Sequence, residues 1–348
     1  MNKRTPLRYL AALAVGVGLL ALVWTAAAAP TQQNTLAACA DIGFSTEEDF
    51  LSRGPRPPDG NPVISDGDLL SPRGVVCARN RQLLAAFSPA GVPPLPDLGL
   101  DAVDIVTIEP ARIAFSTELD DPFGRFKAGD LLTTDGAVIP NVALLAAFGV
   151  RHDLGLDAVH FIGKVEDITR FLEIARQRTR DEWLQSPGAL PSSLKEFKLD
   201  LWFSTEGKAT TPDGRILQDG DLLSAATGAI VFRQEDLLAP PIPAGLPSRG
   251  VDFGLDAVPG CSGGRTTVQF STEIGYQDAM TPTRRFTGGD LLVLGGAVVM
   301  RNKELVNAFE PLVSDLGLDA ITFPSRRAPC GEAQIRTYLP VLLKQAPR

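Results

Sequence analysis

Three short words recur four times in this chain, always in the same order, and this constrains its fold more than any other feature. Phe-Ser-Thr-Glu stands at Phe44–Glu47, Phe115–Glu118, Phe203–Glu206 and Phe270–Glu273. Gly-Asp-Leu-Leu stands at Gly67–Leu70, Gly129–Leu132, Gly220–Leu223 and Gly289–Leu292. Gly-Leu-Asp-Ala stands at Gly99–Ala102, Gly155–Ala158, Gly254–Ala257 and Gly317–Ala320. Such an unbroken order does not arise by chance. A unit copied along a chain marks a repeat architecture, in which neighbouring units bury surface that none can bury alone.

Each word has a physical reading. The alternations Ile113, Phe115, Thr117, then Leu201, Phe203, Thr205, then Val268, Phe270, Thr272 have the period of a half-buried strand. Gly-Asp-Leu-Leu reads as a turn feeding a second strand, its Gly free to take positive φ and its Asp able to bond nearby amides. A short apolar strand follows at Val75–Val76, Ala137–Ile139, Ala229–Phe232 and Ala297–Met300. Gly-Leu-Asp-Ala runs into a fourth, as in Asp101–Ile108 and Asp157–Ile162. Connectors such as Gln82–Phe87, Ala143–Phe148 and Glu304–Phe309 suit one or two helical turns.

Four short strands per unit, with units starting 71, 88 and 67 residues apart at residues 44, 115, 203 and 270, predict an all-β, four-bladed β-propeller-like ring. The long interval carries an insertion. In it Val165, Ile168, Phe171, Leu172 and Ala175 recur at helical spacing and predict one amphipathic helix, ended by Pro187, Gly188 and Pro191. The expected organisation is a signal segment at 1–29, a lead at 30–43, repeat 1 at 44–112, repeat 2 at 113–163 and the helical insertion at 164–198. Repeat 3 follows at 199–267, repeat 4 with a closing strand at 268–330, and a tail at 331–348.

The folded part starts at a Phe-Ser-Thr-Glu strand and finishes after a Gly-Leu-Asp-Ala strand, so Asp319–Phe323 can complete the sheet that the first copy begins. Pairing of that kind removes both free edges. In repeat number and closure the layout resembles small four-bladed β-propellers of the hemopexin type. The resemblance ends there: no hemopexin motif occurs, and it carries no functional residue over. A linear array or a pair of β-sandwiches is the competing arrangement.

Lys3, Arg4 and Arg8, an uncharged apolar run Leu10–Trp24 and the small residues Thr25–Ala29 form the sequence of a Sec-type signal peptide. The expected location is secreted, periplasmic or cell-surface, with membrane attachment only if that segment stays uncleaved. Its removal takes three basic groups and no acid, so the formal charge of −8 becomes −11. An acidic chain is not drawn to nucleic acid or anionic lipid by charge. Cys39, Cys77, Cys261 and Cys330 predict two disulfides in an exported protein. Three pairings are open; Cys39–Cys330 would lock the closure, and Cys261–Cys330 competes with it.

Three acidic registers recur: Asp68, Asp130, Asp221 and Asp290; Asp101, Asp157, Asp256 and Asp319; Glu47, Glu118, Glu206 and Glu273. The first is the candidate metal set, and calcium is the ion that such loop carboxylates would take. No complete calcium loop is present, and an Asp capping turn amides explains a residue kept in every unit. Function more often lies where copies differ. Three residues beyond each Gly-Leu-Asp-Ala aspartate stand Asp104, His160, Pro259 and Thr322, making Asp104, His160 and Thr322 the candidate ligand-binding set.

The chain has two histidines, His152 and His160, and lacks the GxSxG, HExxH and Walker words, which points away from common catalytic routes. Beyond the signal only Trp183 and Trp202 could serve as indole platforms for sugars. The expectation is a non-catalytic binding or scaffold module with no required cofactor and an extracellular or envelope ligand. The Pro-rich segments Ser52–Pro62, Pro89–Pro96 and Pro240–Ser248 supply its variable loops. The alternatives are a hydrolase with a carboxylate pair in the channel and a calcium-stabilised envelope protein.

Overall fold

Each Phe-Ser-Thr-Glu word begins at the C-terminal end of the second strand of a four-stranded antiparallel sheet and runs on beyond it. The computed structural model describes residues 35–326 except 58, 90, 92, 263, 264, 282, 284 and 314, and leaves out the side chains of 257–267. The predicted signal segment, the tail 331–348, Cys330 and the Cys261 side chain therefore lie outside the described residues. In the first copy β1 (Gly43–Phe44) is followed by a hairpin, β2 (Phe50–Leu51) and β3 (Val63–Ile64), then by β4 (Leu69–Ser71) and β5 (Val75–Ala78). The second sheet is β6 (Val103–Thr107), β7 (Arg112–Phe115), β8 (Leu131–Thr133) and β9 (Val138–Ile139).

The third sheet runs β10 (Ala158–Ile162), β11 (Asp200–Ser204), β14 (Leu222–Ser224) and β15 (Ile230–Phe232), with hairpin β12 (Ala209–Thr210) and β13 (Ile216–Leu217) inserted. The fourth runs β16 (Asp256–Ser262), β17 (Arg265–Ser271), β20 (Leu291–Val293) and β21 (Ala297–Met300), with hairpin β18 (Tyr276–Gln277) and β19 (Arg285–Phe286). The last strand, β22 (Ile321–Thr322), completes the first sheet. It pairs antiparallel with β1, Thr322 opposite Gly43 and Ile321 opposite Phe44.

The chain is thus mostly β. Among the described residues no helix is long and apolar enough to cross a membrane. First strands of successive sheets run beside one another in a closed cycle: β6 by β10, β10 by β16, β16 by β22, and β22 by β6. Head and tail of the described chain meet in one sheet, so the copies are not strung out in an open line.

The Leu-Leu pair of the second word explains how the sheets are buried. Successive strand residues point to opposite faces. Leu131 packs with Phe161, Phe203 and Leu223 between the second and third sheets, whereas Leu132 packs with Leu69, Phe115 and Phe126 between the first and second. Leu222 and Leu292 share the core between the third and fourth sheets, and Leu70 and Leu291 the core between the fourth and first. Every sheet therefore faces apolar neighbours on both sides. The expectation of half-buried strands is corrected accordingly: Ile113, Ala114 and Phe115 are all fully buried, because each sheet is sandwiched between two others.

The connectors are short helices, as expected: α1 (Asn80–Leu83), α2 (Asn141–Leu144), α6 (Gln234–Leu237) and α7 (Asn302–Val306). Three of these, α1, α2 and α7, continue as 3-10 turns that end on the buried Phe87, Phe148 and Phe309. The insertion differs from expectation. It holds three helices, α3 (Val165–Ala175), α4 (Arg180–Gln185) and α5 (Ala189–Glu196). The apolar stripe of α3 is buried as predicted, at Ile168, Phe171, Leu172 and Ala175. Pro191 does not end a helix but stands third in α5, where a missing N–H costs nothing because the first turn has no carbonyl to reach.

A disulfide joins Cys39 to Cys77 on β5. The expected Cys39–Cys330 bridge is thereby excluded. The last strand reaches the first sheet by backbone pairing of β22 with β1, while the disulfide ties the lead segment to the outer strand of the same sheet.

Candidate functional site

The three words are wired to one another, and the wiring decides where the acids point. In each copy one oxygen of the Gly-Asp-Leu-Leu aspartate accepts an amide three residues upstream, and the other accepts the first amide of the connector helix. For Asp68 these donors are Ser65 N–H at 3.2 Å and Asn80 N–H at 3.1 Å; for Asp290 they are Thr287 N–H and Asn302 N–H, both at 3.0 Å. Asp130 and Asp221 repeat the pattern through Lys127 with Asn141 and Gln218 with Gln234.

An arginine completes each cap. Arg79 lies 2.6 Å from Asp68, Arg233 2.9 Å from Asp221, Arg301 2.5 Å from Asp290 and Arg180 2.6 Å from Asp130. The four candidate metal residues are therefore each paired with an arginine of a connector helix or, for Asp130, of the helical insertion. Asp68 and Asp290 line two different cavities, so the structure does not bring this set together.

The residue at the head of the connector then reaches forward to the third word. Asn80 Nδ2 donates to Gly99 O at 3.0 Å, Asn141 Nδ2 to Gly155 O at 2.6 Å and Asn302 Nδ2 to Gly317 O at 2.7 Å. In the third copy Gln234 Oε1 accepts from Phe253 N–H instead. Those glycines have φ of +74°, +77°, +69° and +68° at Gly99, Gly155, Gly254 and Gly317, a region that L side chains avoid. The space a side chain would need is also taken. A Cβ on Gly99 would collide with Glu118, on Gly155 with Glu206, on Gly254 with Glu273 and on Gly317 with Glu47. Each glutamate of the first word thus lies on a bare glycine of the segment leading into the strand beside it.

Serines of the first word set the spacing between sheets. Ser45 Oγ donates to Leu100 O and Ser116 Oγ to Leu156 O, each at 2.8 Å, and Ser204 Oγ donates to Leu255 O. Every one of these bonds leaves its own sheet for the next.

Held in this way, carboxylates of several sheets converge. A cavity of about 490 Å³ is lined by Glu47, Asp101, Glu118, Asp157, Glu206, Glu273, Ile274 and Asp319. The glutamates are exposed at its rim, while Asp101 and Asp157 are each only 5% exposed. Among the described residues no N–H or hydroxyl donates to Oδ2 of Asp101, Asp157 or Asp319.

Burial and mutual repulsion raise the affinity of this set for protons. Asp157 is pushed up to about 8, first by burial and then by the charges of Glu273 and Glu206. Asp319 is pushed to about 9 by burial, then by Glu118 and Glu47. Asp101 and Asp256 are raised well above the usual carboxylate range, again chiefly by burial. The four glutamates are raised for the same first reason. Contacts pair Glu206 with Asp101, Glu118 with Asp319 and Asp157 with Asp256. Two carboxyls at such range cannot both ionise cheaply, so they share protons or gather positive charge.

The predicted ligand set lies on the first strands of neighbouring sheets. Asp104 Oδ2 accepts from Phe161 N–H at 2.8 Å, and its Oδ1 lies 3.4 Å from His160 Nδ1. Thr322 Oγ1 accepts from Ile105 N–H at 3.2 Å. These are buried struts between the first strands of neighbouring sheets, and none of the three lines the acidic cavity. Among the described residues no three His, Cys, Asp or Glu side chains are grouped to hold a metal ion. The acids that do line one cavity belong to the other two registers. Their signal in the sequence was the joint recurrence of a Glu in the first word with the Gly and Asp of the third. Compared with protein-family models, with curated proteins and with solved structures, the chain matches none.

Proposed function

We propose that this chain is an exported, non-catalytic binding module, built as a four-bladed propeller-like ring, whose ligand is cationic and enters the acidic cavity. One observation carries the reading: carboxylates from all four sheets line a single cavity that, among the described residues, contains no basic side chain. The cyclic neighbourhood of β6, β10, β16 and β22 supports the ring, since full closure is how antiparallel sheets dispose of free edges. Export rests on the N-terminal charge and apolar pattern, and the Cys39–Cys77 bridge agrees with an oxidising compartment.

The test is calorimetric titration of the purified protein with inorganic cations, calcium first, and with organic ones. Saturable binding that disappears in the Asp101→Asn/Asp157→Asn variant supports the reading. No binding by any cation retires it. A second reading, hydrolysis by a proton-sharing carboxyl pair, is favoured by the Asp157–Asp256 contact and by Ser271 Oγ donating to Asp256 Oδ2 at 2.7 Å. Turnover of a glycoside, ester or peptide lost in Asp157→Asn would promote it.

A further inference from the structure

We infer that the acidic cavity takes a small aliphatic polyamine, bound through its ammonium groups, rather than a bare metal ion. The inference rests on the reading of the cavity as a cation site and names the class of cation. An acidic cluster alone would not suffice, but two deep carboxylates here point to a ligand. Asp101 and Asp157 are each 5% exposed and line the cavity, and among the described residues Oδ2 of both receives no hydrogen-bond donor, the side chains pairing with other carboxyls, Glu206 and Asp256. A buried carboxylate oxygen left so is costly, and a donor from outside the chain relieves it.

The chemistry of the lining selects the donor. Apart from Ile274, each residue lining the cavity is a carboxylate, which offers acceptors and, once ionised, no donors. An alkylammonium is the complement, with three donors and no acceptor. Size argues the same way. Calcium needs six to eight oxygens at roughly 2.3–2.6 Å, and no such grouping occurs among the described residues. At about 490 Å³ the cavity falls instead in the range of small-molecule sites, roughly 300–1,000 Å³.

Charge is also spread in depth: buried aspartates below, glutamates at the rim, and Asp97, Asp153, Asp252 and Asp315 near those glutamates. A point charge cannot meet such a spread, whereas several ammonium groups on one flexible chain can. Ile274, 45% exposed, gives the methylenes an apolar wall.

The experiment titrates the purified protein, at one fixed ionic strength, with butylamine, putrescine, spermidine, calcium and magnesium. Affinity is expected to climb by about tenfold for each added ammonium group. Spermidine binding should weaken by at least about tenfold in Asp101→Asn/Asp157→Asn, and should be unchanged in Asp213→Asn, a solvent-facing acid outside the lining. Glu118→Gln/Glu206→Gln, at the exposed rim, serves if the buried pair fails to fold. Calcium or magnesium binding that depends on Asp101 and Asp157, without spermidine binding, overturns the inference and leaves the cation site standing. Spermidine binding indifferent to both double variants reduces it to surface charge and also overturns it. Silence from every cation removes both readings.

Discussion

Arg180 Nε donates to Asp130 Oδ2 at 2.6 Å, and this bond joins the helical insertion to the repeat that carries it. In the other three copies the corresponding arginine, Arg79, Arg233 or Arg301, sits at the N-cap of the connector helix. In the second copy that position is Pro140, which has no charge to offer. The insertion delivers the cation from α4 instead, some 50 residues along the chain. Its N-cap Thr179 and Glu182 form a capping box that holds the first turn of α4 in place.

Arg180→Ala should therefore destabilise the protein well beyond an ordinary surface change. It leaves the fully buried Asp130 carboxylate without its cation, a loss of about 2–4 kcal/mol. Adding Pro140→Arg, which restores the arrangement of the other copies, should recover most of that loss in urea unfolding. An unchanged midpoint in the double variant would show that the two sites are not equivalent.

Gly155→Ala should cost more than Gly60→Ala. Both glycines have nearly the same φ, +77° and +78°, so both substitutions bear the left-handed penalty of ~1–2 kcal/mol. A Cβ at residue 60 meets nothing within 4 Å, whereas at residue 155 it would lie 2.3 Å from Glu206 Oε1. The difference between the two variants should vanish in a Glu206→Ala background, measured by the same denaturant midpoints. If it persists, the glutamate is not what keeps the glycine bare.

The core shared by the last and first sheets should be as costly to hollow out as an internal one. Phe309, fully buried, meets Phe50 edge to face at 5.8 Å, as Phe203 meets Phe148 at 6.3 Å. Phe309→Ala and Phe203→Ala should each lose about 3–5 kcal/mol, in a single cooperative transition. A shallow early transition confined to Phe309→Ala would indicate a loosely docked end.

Stability should fall as pH rises. Asp157 goes from the ordinary value of 3.8 to about 8 on folding, and Asp319 from 3.8 to about 9. The folded chain thus holds protons that the unfolded chain releases above pH ~4. Their contribution is complete below that pH and is lost as pH climbs through 8 to 9. Groups held low, such as Asp59 beside Arg79, act oppositely and only in strong acid. With no polyamine or divalent cation present, the melting midpoint should decline from pH 5 to pH 9, less steeply in Asp157→Asn/Asp319→Asn. A bound cation should flatten the same slope.

Much of this protein is local, and what is local was readable. Alternation around Phe115, Phe203 and Phe270 marks strands because side chains on a strand alternate by geometry. The Leu-Leu-Ala-Ala-Phe connectors mark helical turns, and the repeated order of three words identifies one unit used four times. Pairing of β22 with β1 was foreseeable from the words with which the folded part starts and finishes.

What no residue declares by itself is its partner across sheets. Asp68, Asp101 and Glu47 are chemically similar and equally repetitive. Only the tertiary structure gives Asp68 an arginine, sets Asp101 against another carboxyl, Glu206, and lays Glu47 against Gly317, just ahead of the closing strand. The same holds for Cys39, whose bridge to Cys77 was one of three open pairings, and for Asp104 and His160, which meet between neighbouring sheets. Hydrophobic period specifies which face is buried; Coulomb interactions and hydrogen bonds depend on distances that exist only once the sheets have come together.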